Sequence, residues 1–276
     1  MLYNKEYIKL NNGKYIPSIG FGTSLVTGDE CTRIIQKAID VGYRHIDTAA
    51  VYKNEVEIGK AIKQSNVDRK ELFITSKVWK DSMGYNNTLK SFEKSLKNLE
   101  LEYIDLFLIH WPKNNDEKLN IDTWKALERL YKEGKVKAIG VSNFLKHHLE
   151  IILNNCNIIP MINQIEFHPG LIRKETIEFC KEKDIIIEAW APLGKGKMLN
   201  NETLLNISKK YKKSVAQICL KWCLQNSVIP LPKSSSEERM KQNLDLFDFE
   251  ISDEDMKTIN NMKFFAGSDM DPDTFN

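Results

Sequence analysis

The stretch IDLFLIHWPKNNDEKLNIDTWKALERLYKEGKVKAIGVSN, residues 104–143, decides the fold of this chain. It opens with the apolar run IDLFLIH (104–110) and closes with KAIGVSN (137–143). Between these runs, apolar residues such as Trp124 and Leu127 recur at helical spacing. Apolar strands separated by a helix indicate parallel strands that are buried on both faces. The stretch therefore predicts one β-α-β unit.

The same alternation runs through the whole chain. The other strand-like runs are GFGT (20–23), HID (45–47), FITSK (73–77), MINQI (161–165), IIIEAW (185–190) and VIPL (228–231). Further helical periods cover 89–99, 149–156, 215–223 and 240–247, and Ser214 and Ser252 stand at helix starts. Eight such units at this length predict an α/β fold, a single-domain (β/α)8 TIM barrel over residues 1–276.

Ahead of the first barrel strand, the segment EYIKLNNGKYIPSIG predicts a β-hairpin that turns at Asn12-Gly13 and caps one end of the barrel. A doubly wound sheet is the rival architecture, and it normally carries a GxGxxG fingerprint after its first strand. Here Gly20 and Gly22 are followed by Leu25 where the third glycine should stand, and the later Gly194-Lys195-Gly196 also lacks one. The barrel is the better prediction.

Composition excludes several classes of protein. The net charge is +2, and the positive residues are spread along the chain rather than grouped, so we expect neither nucleic-acid nor membrane binding. No long apolar run and no signal-like start occur. The five cysteines form no CxxC pair, and Cys219 and Cys223 are expected to be buried thiols rather than half of a metal site. We therefore expect a cytoplasmic protein.

Polar residues stand where predicted strands end, which is the face on which barrel enzymes build their active sites. Asp47 ends HID, Lys77 ends FITSK, His110 ends IDLFLIH, and Tyr52 follows Asp47 by five residues. An ammonium next to a tyrosine lowers the pKa of the phenol, so Lys77 is expected to make Tyr52 a ready proton donor or acceptor. Asp47 would pair with Lys77. His110 would orient a substrate oxygen, as carbonyl reduction requires.

Each of these residues also has a structural explanation when it is taken alone. His110 fits a core histidine, Asp47 fits a turn cap, and Lys77 fits a solvated side chain. Their joint placement at three strand ends is what favours catalysis. A metal-dependent hydrolase is a poorer interpretation, because there are only five histidines and two of them, His147 and His148, adjoin on a predicted helix surface. We expect no metal.

Eight motifs, in this order, resemble the aldo-keto reductase family over nearly the whole chain. They are GFGT, GYRHIDTAAVYKNE, ITSKVW, YIDLFLIHWP, IGVSNF, NQIEFHP, APLGKG and IPLPKSSSEERMKQN. The short segment between Pro112 and Thr123 and the carboxyl-terminal tail resemble the smaller members, such as the 2,5-diketo-D-gluconate reductases and prostaglandin F synthases. The resemblance implies a (β/α)8 barrel that reduces aldehydes and ketones with NADPH. It makes Tyr52 the general acid and Asp47, Lys77 and His110 its supporting residues.

The resemblance also implies a set of binding residues. The residues that match contacts to the nicotinamide are Gly22, Thr23, Ser142, Asn143 and Gln164, and Trp190 matches the aromatic ring that stacks on it. The loop that crosses the pyrophosphate is matched by Leu193, Gly194 and Lys195. Lys233, Ser234 and Arg239 match the clamp on the 2′-phosphate, and Gln242 and Asn243 the adenine contacts. Trp79 and Trp111 are expected to line the substrate pocket beside His110.

The expected activity is therefore NADPH-dependent reduction of a small-molecule carbonyl substrate by a monomer. The alternative is a regulatory subunit of the same fold that binds NADPH and turns over little. The complete set of Asp47, Tyr52, Lys77 and His110 favours the enzyme.

Overall fold

The computed structural model describes residues 6–275. The strands are β1 (Tyr7–Lys9), β2 (Tyr15–Pro17), β3 (Phe21–Gly22), β4 (His45–Asp47), β5 (Phe73–Val78), β6 (Ile104–Ile109), β7 (Val136–Ser142), β8 (Ile162–Glu166), β9 (Ile186–Trp190) and β10 (Val228–Pro230). The helices are α1 (Asp29–Val41), α2 (Glu55–Gln64), α3 (Tyr85–Leu99), α4 (Glu117–Lys132), α5 (Lys146–Leu153), α6 (Lys174–Glu182), α7 (Glu202–Tyr211), α8 (Val215–Gln225), α9 (Glu237–Leu244) and α10 (Asp253–Asn260).

The strands β3 to β10 form one parallel sheet in chain order. Backbone hydrogen bonds join its two outer edges: the Gly20 amide donates to the Pro230 carbonyl and the Gly22 amide to the Pro232 carbonyl, both at 3.0 Å. The sheet is therefore closed, and the predicted (β/α)8 barrel is confirmed.

Tight packing inside the barrel requires a glycine at its seam. A Cβ atom on Gly20 would lie 2.4 Å from the Leu231 side chain and 2.6 Å from Nδ1 of His45. Since real Cβ atoms do not approach so closely, the seam depends on a residue with no side chain at this position. The His45 ring fills the space that results.

The predicted hairpin is present and lies across the amino ends of the strands. β1 and β2 pair antiparallel, and Gly13 occupies the turn with φ 81°. The Asn11 side chain donates to the carbonyls of Pro160 and Asp184, and the Asn12 side chain donates to the carbonyl of Lys137. Those carbonyls stand at the starts of β7, β8 and β9, so the hairpin seals the end of the barrel opposite the predicted site.

Helix ends agree with the sequence where a cap is present and differ where the chain turns early. Ser214 and Ser252 cap α8 and α10 as predicted. The period predicted over 149–156 ends at Leu153, because Asn155 turns back onto the Ile152 carbonyl. The period predicted over 240–247 ends at Leu244, because Leu246 bonds the Leu244 carbonyl in a tight turn. No helix within residues 6–275 combines the length and apolarity needed to cross a membrane.

Candidate active site

Four polar side chains meet at the carboxyl end of the barrel. Asp47 is the last residue of β4, Lys77 lies in β5, and His110 follows β6 directly. Tyr52 belongs to a short 3₁₀ turn over Ala50–Tyr52 that brings its side chain back over the barrel. The Lys77 ammonium lies 5.4 Å from the centre of the Tyr52 ring, and the rings of Tyr52 and His110 are 5.6 Å apart. The predicted convergence of the four residues is therefore present.

The Lys77 ammonium is fully buried and held by oxygen atoms. It donates to Oδ1 and Oδ2 of Asp47 at 2.7 and 2.8 Å and to the Thr48 carbonyl at 2.8 Å. Burial alone would lower the pKa of Lys77, but the charge and the hydrogen bonds of Asp47 oppose it and the pKa is raised. Lys77 is therefore a fixed positive charge beneath the phenol.

The pKa of Tyr52 differs from the sequence expectation in direction. Burial is the largest effect on this phenol, and it raises the pKa above its ordinary value despite the opposing charge of Lys77. The expected net lowering is wrong because the sequence shows the neighbouring lysine but not the depth of burial. Tyr52 is consequently a neutral phenol at physiological pH, which suits a proton donor and not a base.

His110 is neutral and has hydrogen-bonding capacity left over. Burial, followed by the charges of Lys77 and Lys80, lowers its pKa well below the ordinary value. Its Nδ1 atom is buried and has no hydrogen-bond partner among residues 6–275. The ring is packed edge-on against Tyr52 and Trp79, with the centre of the Trp79 ring 5.1 Å away. A positioned, uncharged imidazole therefore lies beside the Tyr52 ring.

A second group of polar residues lies at the carboxyl ends of β7 and β9. The Asn143 side chain donates to the His110 carbonyl and to Oγ of Ser142, each at 3.0 Å. The indole of Trp190 donates to Oδ1 of Asn143 at 2.7 Å, which fixes the ring at the edge of the site. Asn143 has a φ of 64°, a left-handed conformation that Asn tolerates better than most residues. These contacts fix the wall beside the four polar residues.

Gln164 connects the two groups through the barrel interior. Its amide nitrogen donates to Oδ2 of Asp47 and to Oε2 of Glu188, both at 2.8 Å. Glu188 and the neighbouring His45 are both completely buried. Neither was singled out in the sequence, where Glu188 lies in the strand-like run IIIEAW. The signal that could have found Glu188 is a charged residue type inside an otherwise apolar strand.

The carboxyl-terminal segment lies across an aromatic wall at the barrel mouth. Trp111 and the half-buried Trp79 form the wall, and the Phe275 ring lies 4.3 Å from Trp111 and 6.4 Å from Trp79, centre to centre. The Lys80 ammonium lies 4.0 Å from the centre of the Phe275 ring and also donates to the Phe275 carbonyl. The structure thus brings both predicted substrate residues to the site and adds Phe275.

Two further contacts fix this segment. Ser268 donates to Glu166 through its amide at 2.8 Å and its hydroxyl at 2.6 Å. Asp273 lies 2.9 Å from Nε2 of His147 and 3.4 Å from Nε2 of His148. Because Nδ1 of His148 accepts the Leu145 amide proton, a neutral His148 carries its own proton on Nε2. That nitrogen is a donor to Asp273 rather than a metal ligand.

The remaining predicted cofactor residues occupy the rim. Lys233 and Arg239 are exposed, and neither forms an ion pair with another residue of the described part of the chain, 6–275. They flank the start of α9, which Ser236 caps. Ser234 is buried and its hydroxyl bonds to the Ser236 carbonyl at 3.1 Å. Basic side chains beside free helix amides form an anion-binding surface.

Other predicted cofactor residues are engaged within the protein. The Thr23 hydroxyl donates to the Asp47 carbonyl at 2.9 Å, beside Gly22 in β3. Asn243 is buried and hydrogen-bonds the Tyr43 side chain, whereas Gln242 is exposed. Leu193, Gly194 and Lys195 lie in the loop after β9, where Gly194 and Lys195 both have positive φ.

The sequence matches the model of the aldo/keto reductase family over residues 18–263. The chain belongs to this family. The match includes the four polar residues at the barrel mouth and also Ser142, Asn143, Gln164 and Trp190. The expected reaction class, NADPH-dependent reduction of carbonyl compounds, is confirmed by this membership and by relatives along the full length of the chain.

Two curated relatives and one solved structure illustrate the relationship. Glyoxal reductase of Bacillus subtilis (strain 168) is 54% identical over 256 residues, which are 92% of each chain. The 9,11-endoperoxide prostaglandin H2 reductase of Trypanosoma cruzi (strain CL Brener) is 44% identical over 276 residues, covering 99% of this chain and 96% of that one. A variant of Gox0644 solved in complex with NADPH is 39% identical, with a TM-score of 0.92 and 98% of both chains covered.

Proposed function

We propose that this aldo/keto reductase uses Tyr52 as its general acid and reduces a small dicarbonyl compound such as glyoxal. One observation carries the assignment of the acid: the Lys77 ammonium, held by Asp47, lies directly beneath a neutral tyrosine at the barrel mouth. A phenol placed beside a fixed positive charge can release its proton when negative charge develops on a substrate oxygen.

The chain's own residues orient the carbonyl and move one proton. The substrate oxygen lies between the Tyr52 hydroxyl and the neutral His110 ring, both of which donate hydrogen bonds to it. As the oxygen gains charge, Tyr52 transfers its proton, and Lys77 stabilises the phenolate that remains. NADPH, when bound, supplies the hydride that reaches the carbonyl carbon. Trp79, Trp111 and Phe275 exclude water from this space.

Features of the structure support the fit of NADPH to the predicted residues. Trp190 would stack on the nicotinamide because its ring is only partly buried and its indole nitrogen is held by Asn143. Ser142, Asn143 and Gln164 would bind the carboxamide. Lys233, Ser234 and Arg239 would hold the 2′-phosphate at the start of α9, with Gln242 and Asn243 at the adenine. Gly22, Thr23 and the loop of Leu193, Gly194 and Lys195 would complete the site.

A turnover assay tests the proposed function. The purified protein is expected to oxidise NADPH when glyoxal or 4-nitrobenzaldehyde is supplied, and to do so faster with glyoxal at equal concentration. A regulatory subunit of the same fold would bind NADPH and turn over slower by orders of magnitude. NADPH binding without turnover of either aldehyde would therefore refute the assignment.

Arg239→Ala is expected to weaken NADPH binding at least about tenfold while NADH binding changes by less than about twofold. The reason is that a hydrogen bond between charged groups is lost only when the 2′-phosphate is present. Fluorescence titration of both cofactors measures the two dissociation constants. Lys241→Ala is the matched control, because Lys241 lies on the same helix and pairs with Glu237. Equal weakening of NADPH and NADH in Arg239→Ala would contradict the 2′-phosphate assignment.

Phe275→Ala is expected to raise kcat/KM for 4-nitrobenzaldehyde relative to glyoxal by about fivefold or more. Removal of this ring uncovers the faces of Trp79 and Trp111 and widens the apolar pocket. The ratio of the two specificity constants is the measurement. Phe265→Ala serves as the control, since Phe265 lies in the same segment but packs near Gly170. An unchanged ratio would mean that Phe275 does not limit substrate size.

We further propose that the chain is a single-domain monomer of 276 residues that works in the cytoplasm. The family resemblance favours a monomer, and the half-buried or buried free cysteines suit a reducing compartment. Light scattering coupled to size-exclusion chromatography tests the oligomeric state. A mass of twice 32.0 kDa or more would contradict the monomer.

A further inference from the structure

Glu188 is a carboxyl group in the barrel interior that the mechanism above does not use. It lies in β9, has no exposed surface, and accepts a hydrogen bond from the Gln164 amide at 2.8 Å. Its other oxygen, Oε1, has no hydrogen-bond partner among residues 6–275. A completely buried carboxyl group with one unpartnered oxygen calls for a physical explanation.

The Gln164 amide nitrogen has two hydrogens, and the structure uses both on carboxyl groups. One is donated to Oδ2 of Asp47 and the other to Oε2 of Glu188. The amide plane is therefore fixed from two sides. Because the nitrogen is fixed, the direction of the amide oxygen is fixed as well.

Two carboxyl groups that share one amide nitrogen in a buried site repel each other when both are ionised, so one of them favours the neutral form. Asp47 is bound by the Lys77 ammonium through both of its oxygens, so Asp47 is the ionised member. Within residues 6–275 Glu188 has no such partner: the basic group beside it is His45, whose Nε2 is 3.8 Å away. Burial followed by the charge of Lys77 lowers the pKa of His45 to about 3, so that ring is neutral.

We propose that Glu188 is a positioning residue that works as a neutral carboxylic acid: with Asp47 it fixes the Gln164 amide on the cofactor side of the barrel, without adding a second negative charge. Burial, and then the charge of Asp47, raises the pKa of Glu188 to about 8, which agrees with this state. The groups that face it are Asp47, Lys77 and His45. This inference rests on the cofactor role proposed above for Gln164.

Two substitutions separate the hydrogen bond from the ionisation. Glu188→Gln keeps an oxygen that accepts from Gln164 but cannot ionise, and Glu188→Met removes the acceptor at similar volume. We expect Glu188→Met to weaken NADPH binding by about five- to tenfold, because a buried amide hydrogen loses its partner. We expect Glu188→Gln to restore binding to within about twofold of the wild type below pH 7.

The pH dependence of stability has a definite sign. The native protein holds a proton on Glu188 up to about pH 8, whereas the unfolded chain loses it near the ordinary value of 4.5. The wild type therefore loses stability relative to Glu188→Gln as the pH rises from 4.5 to about 8, and the difference stays constant above that pH. Between pH 5 and pH 9, the ratio of the two unfolding equilibrium constants should change by about a hundredfold or more.

Three measurements test the proposal: urea unfolding against pH, NADPH fluorescence titration, and the infrared band of a protonated carboxyl group. The band should be present in the wild type at neutral pH, disappear on alkaline titration and be missing from Glu188→Gln. The matched control is Glu128→Gln, a buried glutamate on α4 that binds the backbone amides of Asn157 and Ile158. This control should leave the NADPH titration unchanged.

Parallel stability curves for wild type and Glu188→Gln, or an infrared spectrum without the band in the wild type, would overturn the neutral acid. Unchanged NADPH binding in Glu188→Met would overturn the positioning role. If Glu188→Met does not fold, the stability curves and the infrared band of the wild type and Glu188→Gln still decide whether Glu188 is a neutral acid. A wild type that fails to bind NADPH would instead refute the proposed function, and it would leave the stability and infrared results valid.

Discussion

Tyr52→Phe should reduce kcat for carbonyl reduction by about 10²–10⁴-fold, which is the usual contribution of a positioned general acid. The substitution removes one hydroxyl and keeps the ring that packs against His110. NADPH binding should change by less than about twofold, because the hydroxyl is assigned to the substrate. Turnover with glyoxal and NADPH fluorescence titration measure the two effects.

Tyr103→Phe is the matched control for this substitution. Tyr103 stands just before β6, at the sealed end of the barrel, where the Arg69 guanidinium lies 4.2 Å from the centre of its ring. Loss of that hydroxyl should leave kcat unchanged. If Tyr52→Phe retains wild-type turnover, Tyr52 is not the acid, and the proton must come from another group.

Lys77→Met should destabilise the fold by about 3–5 kcal/mol and abolish measurable turnover. The cause is that Asp47 would remain buried with its charge uncompensated, which costs more than the pair itself contributes. Loss of the ammonium also removes the positive charge beneath Tyr52. Urea unfolding and a glyoxal turnover assay measure the two losses.

The double substitution Asp47→Asn with Lys77→Met separates stability from catalysis. Removal of both charges should recover much of the lost stability, since neither member of the pair is left alone in the interior. Turnover should remain absent, because no positive charge would remain beneath Tyr52. A single variant Lys77→Met that is as stable as the wild type would contradict a buried ion pair at this site.

The barrel and the residues at its mouth could be predicted because their signals are local. Each strand is a short apolar run, and Asp47, Lys77 and His110 stand at or beside the ends of three of these runs. The rule that parallel strands end on one face then brings them together. The hairpin at Asn12-Gly13 was predictable for the same reason, since its turn residues are adjacent in sequence.

Other features depend on contacts between distant residues, which one sequence does not display. Gln164 and Asp47 are hydrogen-bonded although they are 117 residues apart, and Glu188 shares that amide. The direction of the Tyr52 pKa depends on how deeply the phenol is buried, so the presence of Lys77 alone led to the wrong sign. Phe275 reaches Trp111 only because the carboxyl-terminal segment crosses the mouth.

The asparagine contacts of the hairpin have a practical consequence for altering this protein. They hold the hairpin to the amino end of the barrel through main-chain carbonyls, and these carbonyls lie outside the loops that shape the substrate pocket. Replacing residues 269–275 with a foreign peptide leaves those asparagine hydrogen bonds intact, whatever the sequence of the peptide. Libraries that replace the whole of that segment can therefore be screened for new substrates, because the hairpin end of the barrel stays unchanged.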